Sequence, residues 1–152
     1  MYNDRSMKDA IVGKKITRIR MSDDYLILDT DQGRVSYYVE GDCCSRSRFF
    51  DFYGVRNLLD LGPVKDFEEV DLSPGDPGYR SETWADAEAD EYGELRVYGY
   101  RFTVEHPVLG DMSAIVSFRN LSNGYYGGWM EVVGQDYLDP DLEDLTADKI
   151  GE

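Results

Sequence analysis

Alternating apolar and polar positions dominate the first forty residues. Thr17, Ile19 and Met21 alternate with Arg18 and Arg20, the period of two expected of a strand with one buried face. Asp23-Asp24 supplies a turn, and Leu26 and Leu28 begin a second strand. Asp31-Gln32-Gly33 turns again, with Gly33 free to take positive φ, and Val35, Tyr37 and Val39 line one side of a third strand. After Gly41 the spacing changes. Phe49, Phe50, Tyr53, Leu58 and Leu59 recur at nearer to helical intervals, and Asp42, Ser45 and Ser47 stand ready as N-caps. The pattern predicts a helical segment near residues 45–61, broken near Gly54 and stopped by Gly62-Pro63. Residues 64–72 read as an imperfectly alternating strand. Further on, 95–105 puts Tyr98, Tyr100, Phe102 and Val104 on one face, and His106-Pro107 opens a loop to Asp111. Ala114, Val116 and Phe118 mark a returning strand, and Met130 and Val132 a last one. The expected class is α+β: a mainly antiparallel sheet of about 6 or 7 strands with one helical excursion packed on it.

With 152 residues the chain suits a single core. Aromatic residues at 13%, twelve of them Tyr, favour strands. Charge divides the chain more sharply. The formal net charge is -15, but residues 71–94 carry eight acidic groups against Arg80 alone, and residues 136–152 carry seven against Lys149 alone. We therefore expect one domain over 1–135, containing a long acidic surface loop at 73–92 marked by Pro74-Gly75 and Pro77-Gly78, followed by an acidic C-terminal tail at 136–152. In the tail, Leu138, Leu142, Leu145 and Ile150 are loosely spaced for a short amphipathic helix. Such a field repels phosphate backbones, so no direct nucleic-acid binding is expected. The same field admits the opposite idea, an acidic mimic of nucleic acid. No apolar run approaches the roughly 20 residues that span a bilayer, and residues 1–15 lack a secretory block, which places the chain in a cytoplasm and off the membrane.

Two stretches carry chemistry. In Glu40-Gly41-Asp42-Cys43-Cys44-Ser45 a thiol at a helix start, near Arg46 and Arg48, would be acidified, so Cys43 or Cys44 is a candidate for a cysteine-dependent enzyme or redox protein. His106, the single histidine, would have to be brought there by folding. Adjacent cysteines lack zinc-type spacing, and a cytoplasm keeps them reduced, so no metal and no disulfide are expected. The alternative is that both thiols are structural. The second stretch runs from Asn120 through Ser122, Asn123, Gly124, Tyr125, Tyr126, Gly127 and Gly128 to Trp129. Its glycines allow close backbone approach, and Asn120, Asn123, Tyr125, Tyr126 and Trp129 offer hydrogen bonds and flat rings to a partner. A hairpin loop whose aromatics cap the sheet is the competing reading. No G-K-[ST] ending follows, so it is no phosphate loop.

Gly13-Lys14-Lys15-Ile16, Val39-Glu40-Gly41-Asp42-Cys43-Cys44-Ser45, Gly54-Val55 with Leu58-Leu59, and Ser122-Asn123-Gly124-Tyr125-Tyr126-Gly127-Gly128 together resemble an uncharacterised family of small phage and bacterial proteins, over about residues 11–133. The resemblance implies kinship and a phage or prophage setting, and no reaction. With no complete catalytic set, no catalytic residue and no cofactor are assigned. The leading expectation is a non-enzymatic accessory protein that binds a host protein or sequesters a small molecule in the host cytoplasm, through Asp42, Cys43, Cys44, Ser45, Asn120, Asn123, Tyr125, Tyr126 and Trp129. If the two stretches meet, the Asp42 carboxylate would accept hydrogen bonds from the glycine-bearing loop.

Overall fold

The computed structural model of the chain describes residues 4–41, 46–73, 75–79, 94–122, 128–133 and 142–146. In chain order they form helix α1 (Asp4–Ile11), strands β1 (Ile16–Met21), β2 (Tyr25–Thr30), β3 (Gly33–Gly41) and β4 (Arg46–Tyr53), helix α2 (Val55–Asp60), and strands β5 (Asp66–Asp71), β6 (Glu94–His106), β7 (Gly110–Ser122), β8 (Gly128–Val132) and β9 (Glu143–Asp144). The strands make two sheets, one ordered β8-β3-β2-β1-β9 and the other β4-β7-β6-β5. Every described pairing is antiparallel.

Alternation along each strand builds the core. Val35, Tyr37 and Val39 of β3, Ala114, Val116 and Phe118 of β7, and Tyr100, Phe102 and Val104 of β6 are all buried. Phe67 of β5 stacks on Tyr37 at 6.1 Å and on Tyr100 at 5.3 Å, and meets Phe102 edge-on at 5.0 Å. It thereby ties the sheets together. The Tyr37 hydroxyl donates to the Met7 carbonyl at 3.1 Å, anchoring α1, and burial raises the pKa of that phenol far above the usual value.

The expected α+β class with one sheet of 6 or 7 strands is corrected to a mainly-β fold, in which the described residues form two sheets, five-stranded and four-stranded, with two short helices. Periodicity tells which side of a strand is buried, not which sheet it joins. The helical segment expected near 45–61 is also corrected: residues 46–53 are β4, and only Val55–Asp60 is helical. The cause is a register shift between Phe49 and Asp51. One extra residue on the bulged strand places Phe49 and Phe52, both buried, three positions apart on the core side, which imitates a helix. A second shift between Ile16 and Arg18 leaves Ile16 and Ile19 buried and turns Thr17 outward.

Three further features depart from the periodic reading. Helix α1 was not expected; Met7, Ala10 and Ile11 give its core stripe. Within the stretch expected as an acidic tail, Glu143 and Asp144 pair with Met21 and Arg20, and Leu145 is buried with its N–H on the Ile19 carbonyl at 2.8 Å. The described residues 142–146 are therefore extended and not the amphipathic helix suggested by the leucine spacing. In the acidic loop, the Gly78 carbonyl accepts the buried Ser117 hydroxyl at 2.6 Å, so 75–79 pack on the outside of the second sheet.

Candidate functional site

The chain crosses between the sheets twice, from β3 to β4 and from β7 to β8, and both crossings fall at one corner. Pairing of β3 with β8 runs up to Gly41↔Gly128, and pairing of β4 with β7 begins at Arg46↔Leu121. The connections 42–45 and 123–127 thus start and finish side by side. The Ser47 hydroxyl donates to the Glu40 carbonyl at 2.8 Å and accepts from the Asn120 amide at 3.0 Å. Gly128 completes this knot: a Cβ there would collide with Ser47 Oγ and stand 3.0 Å from the Glu40 carbonyl and 3.1 Å from Asn120 Nδ2. Behind it, the turn after β1 is stitched on, with Phe49 N–H on the Asp23 carbonyl at 2.7 Å and Arg48 3.7 Å from the Asp23 carboxylate.

Of the residues proposed from sequence, Asp42, Cys43, Cys44, Ser45, Asn123, Tyr125 and Tyr126 lie outside the described residues, as does the expected contact of Asp42 with the glycine-bearing loop. Asn120 belongs to β7 and is fully buried, an anchor of the corner. Trp129 is half-buried in β8, opposite Glu40. His106 is elsewhere. It pairs with Gly110 at the far end of the β6–β7 hairpin, where Nδ1 accepts the Val108 and Leu109 N–H groups at 3.0 Å each. Strand β7 runs 13 residues, so at about 3.3 Å per residue its ends lie roughly 40 Å apart along the strand. The chain's single imidazole thus sits at the end of β7 remote from this corner.

Sequence reasoning passed over the outward-facing residues of the first sheet beside this corner. Tyr25 lies opposite Tyr38, Tyr38 opposite Glu131 and Glu40 opposite Trp129. The Tyr38 hydroxyl donates to the Glu131 carboxylate at 2.7 Å; that bond, with a smaller effect of burial, pushes its pKa up to about 12. The signal was present as the polar phase of β3, but its partners on β8 required the pairing.

Two of the four distinctive stretches are accounted for by packing. Gly13, at φ +89°, gives its N–H to the Val64 carbonyl at 2.7 Å, and Lys15 Nζ donates to the Leu58 and Leu59 carbonyls at 2.8 and 2.7 Å, closing the C-terminus of α2. Burial holds the Lys15 pKa below the usual lysine value, against the pull of Asp60 and Asp31. Gly54, at φ +78°, lets α2 approach β7. The family model of a domain of unknown function, DUF7448, matches residues 9–132, from the last turn of α1 to the end of β8. The chain belongs to the DUF7448 family. The DUF7448 match takes in both sheet crossings and stops short of β9. Neither curated proteins nor solved structures gave a match to this DUF7448 chain.

Proposed function

We propose that this DUF7448 protein is a non-enzymatic binding protein, a phage-type accessory factor that engages a host protein or a small molecule in the host cytoplasm through the corner where its sheets exchange strands. The observation that supports this reading is the shared anchoring of the two connections, at Gly41↔Gly128 and Arg46↔Leu121. Stretches about eighty positions apart in sequence, each rich in groups that packing at the other two motifs does not need, are delivered to one place. Ser47 and Asn120, both buried, hold the corner from inside.

The test uses the full chain as bait in a lysate of its natural host, with native mass spectrometry for small ligands. The triple variant Asn123→Ala, Tyr125→Ala, Tyr126→Ala should lose the captured partner or ligand. The double variant Val108→Ser, Leu109→Ser, at the exposed far hairpin tip, should keep it. Equal retention by both variants, or an empty and monomeric wild type, overturns the proposal.

A further inference from the structure

Strand alternation at the same corner assembles a second kind of chemistry. Because Val35, Tyr37, Val39 and Met130 fill the core, the intervening Tyr38 and Glu40 of β3 and Trp129 and Glu131 of β8 face outward, joined by Tyr25 across from Tyr38. Glu40 is exposed and the other four are half-buried. Three aromatic rings and two carboxylates therefore share one face. Asp23 and Asp24, exposed in the adjoining turn, add negative charge. Arg46 and Arg48 open β4 next to this end, and Arg48 is taken up by Asp23. Of the basic side chains of the sheet, Arg18 and Arg34 lie toward its other end, paired with Asp144 and Asp29, and Arg20, opposite Ile27 and so nearer the corner, is also paired with Asp29.

Ring faces carry the negative end of the aromatic quadrupole, and carboxylates beside them add a full charge and hydrogen-bond acceptors; a guanidinium or ammonium group satisfies both at once. We infer that this face receives an arginine- or lysine-bearing segment of a partner protein, the cation lying against Trp129 and Tyr38 within reach of Glu40 and Glu131. The inference rests on the corner-binding reading and gives its partner a chemistry. A chain of net charge -15 also steers a basic partner toward it, and the aromatic face turns that general attraction into a defined seat.

The probe is a short tetra-arginine peptide beside its citrulline counterpart, titrated into the full chain at physiological ionic strength by calorimetry while the Trp129 indole N–H is followed by NMR. The arginine peptide should shift the Trp129 resonance, and the citrulline peptide should bind roughly tenfold more weakly. The variant Glu40→Gln, Glu131→Gln should weaken the arginine peptide roughly tenfold, whereas Glu68→Gln, Glu69→Gln, which removes equal charge from the second sheet, should change it by less than about twofold. Glu40→Gln alone, at an exposed position, provides the same test without risk to the fold. Equal losses in the two double variants, or an unmoved Trp129 signal, overturn the inference. A captured partner that the Asn123, Tyr125, Tyr126 variant loses and Glu40→Gln, Glu131→Gln keeps leaves the corner reading standing and overturns this one.

Discussion

Replacing Gly54 by alanine measures how much of the fold depends on one close approach. Gly54 joins β4 to α2 at φ +78° and ψ 25°. An L-residue held there costs about 1–2 kcal/mol, before any neighbour is considered. A Cβ would also stand 2.7 Å from the Ser113 carbonyl oxygen and 3.1 Å from Ala114 Cα, both backbone of β7. Neither atom moves without the strand, so α2 must back away. That retreat breaks the bond from Asn57 Nδ2 to the Ser113 carbonyl, 2.8 Å long and worth about 0.5–1.5 kcal/mol, and loosens Val55 and Leu58, the two side chains α2 buries. The expected loss is about 3 kcal/mol, a large share of the roughly 5–15 kcal/mol that holds a domain together. Gly110 is the control, since at φ +81° it has nothing within 4 Å of its would-be Cβ. Gly110→Ala has nearly the same φ, +81°, and the same unfolded-state gain, so the difference between the variants, about 2 kcal/mol, reads chiefly the collision. Urea denaturation with matched slopes reads both values. Equal losses in the two variants would refute the argument.

Three further outcomes are expected. Gly128→Ala should destabilise by about 2 kcal/mol and cost roughly 1 kcal/mol less in a Ser47→Ala background, because the Cβ collides with Ser47 Oγ; strict additivity in the double-mutant cycle would show that the corner is looser than described. Lys15→Met keeps the stem but leaves the Leu58 and Leu59 carbonyls without their donor, an expected loss of about 2 kcal/mol in urea denaturation; a neutral result would remove Lys15 as the cap of α2. Tyr38 has its pKa raised in the fold from 10.0 to about 12, first by its bond to Glu131. The fold thus favours the protonated phenol: its contribution is fully present below pH 10 and is lost as pH rises toward 12. Tyr38→Phe should flatten the fall in urea midpoint over that interval, while an identical fall in both proteins would mean that other groups, Tyr37 among them, carry all of it.

What the sequence made legible follows from a single physical rule. Where a strand buries one face, as with Val35, Tyr37 and Val39 or Ala114, Val116 and Phe118, the period of two is visible and the reading holds. Where a bulge adds a residue, as between Phe49 and Asp51, the same burial appears with a spacing of three, and the rule returns the wrong element. Sheet membership is a long-range property. Nothing near residue 41 records that Gly41 will pair with Gly128, or near 46 that Arg46 will pair with Leu121, so the adjacency of the strand ends that flank the two distinctive stretches was not legible. Asn120 shows the opposite difficulty: a polar residue beside a glycine-bearing stretch reads as a ligand contact, yet it is buried inside β7 and bonded to Ser47.

That distinction separates architecture from recognition at the corner. Both crossings between the sheets must be made there, so any sequence with this fold has to satisfy Glu40 O, Ser47, Asn120 and the missing side chain of Gly128 before a partner is met. Those demands are internal and reach no further than the knot. They give no reason for an exposed Glu40 carboxylate across from Trp129, or for Tyr38 and Glu131 bonded side by side on the outer face. Variants of the knot should therefore lower stability and reduce binding only in proportion to the protein unfolded. On the outer face, Glu40→Gln, at an exposed position outside the Tyr38–Glu131 bond, should leave the urea midpoint in place and change affinity alone. A protein in which the two sets of variants gave the same profile would have a corner that is only a hinge between sheets.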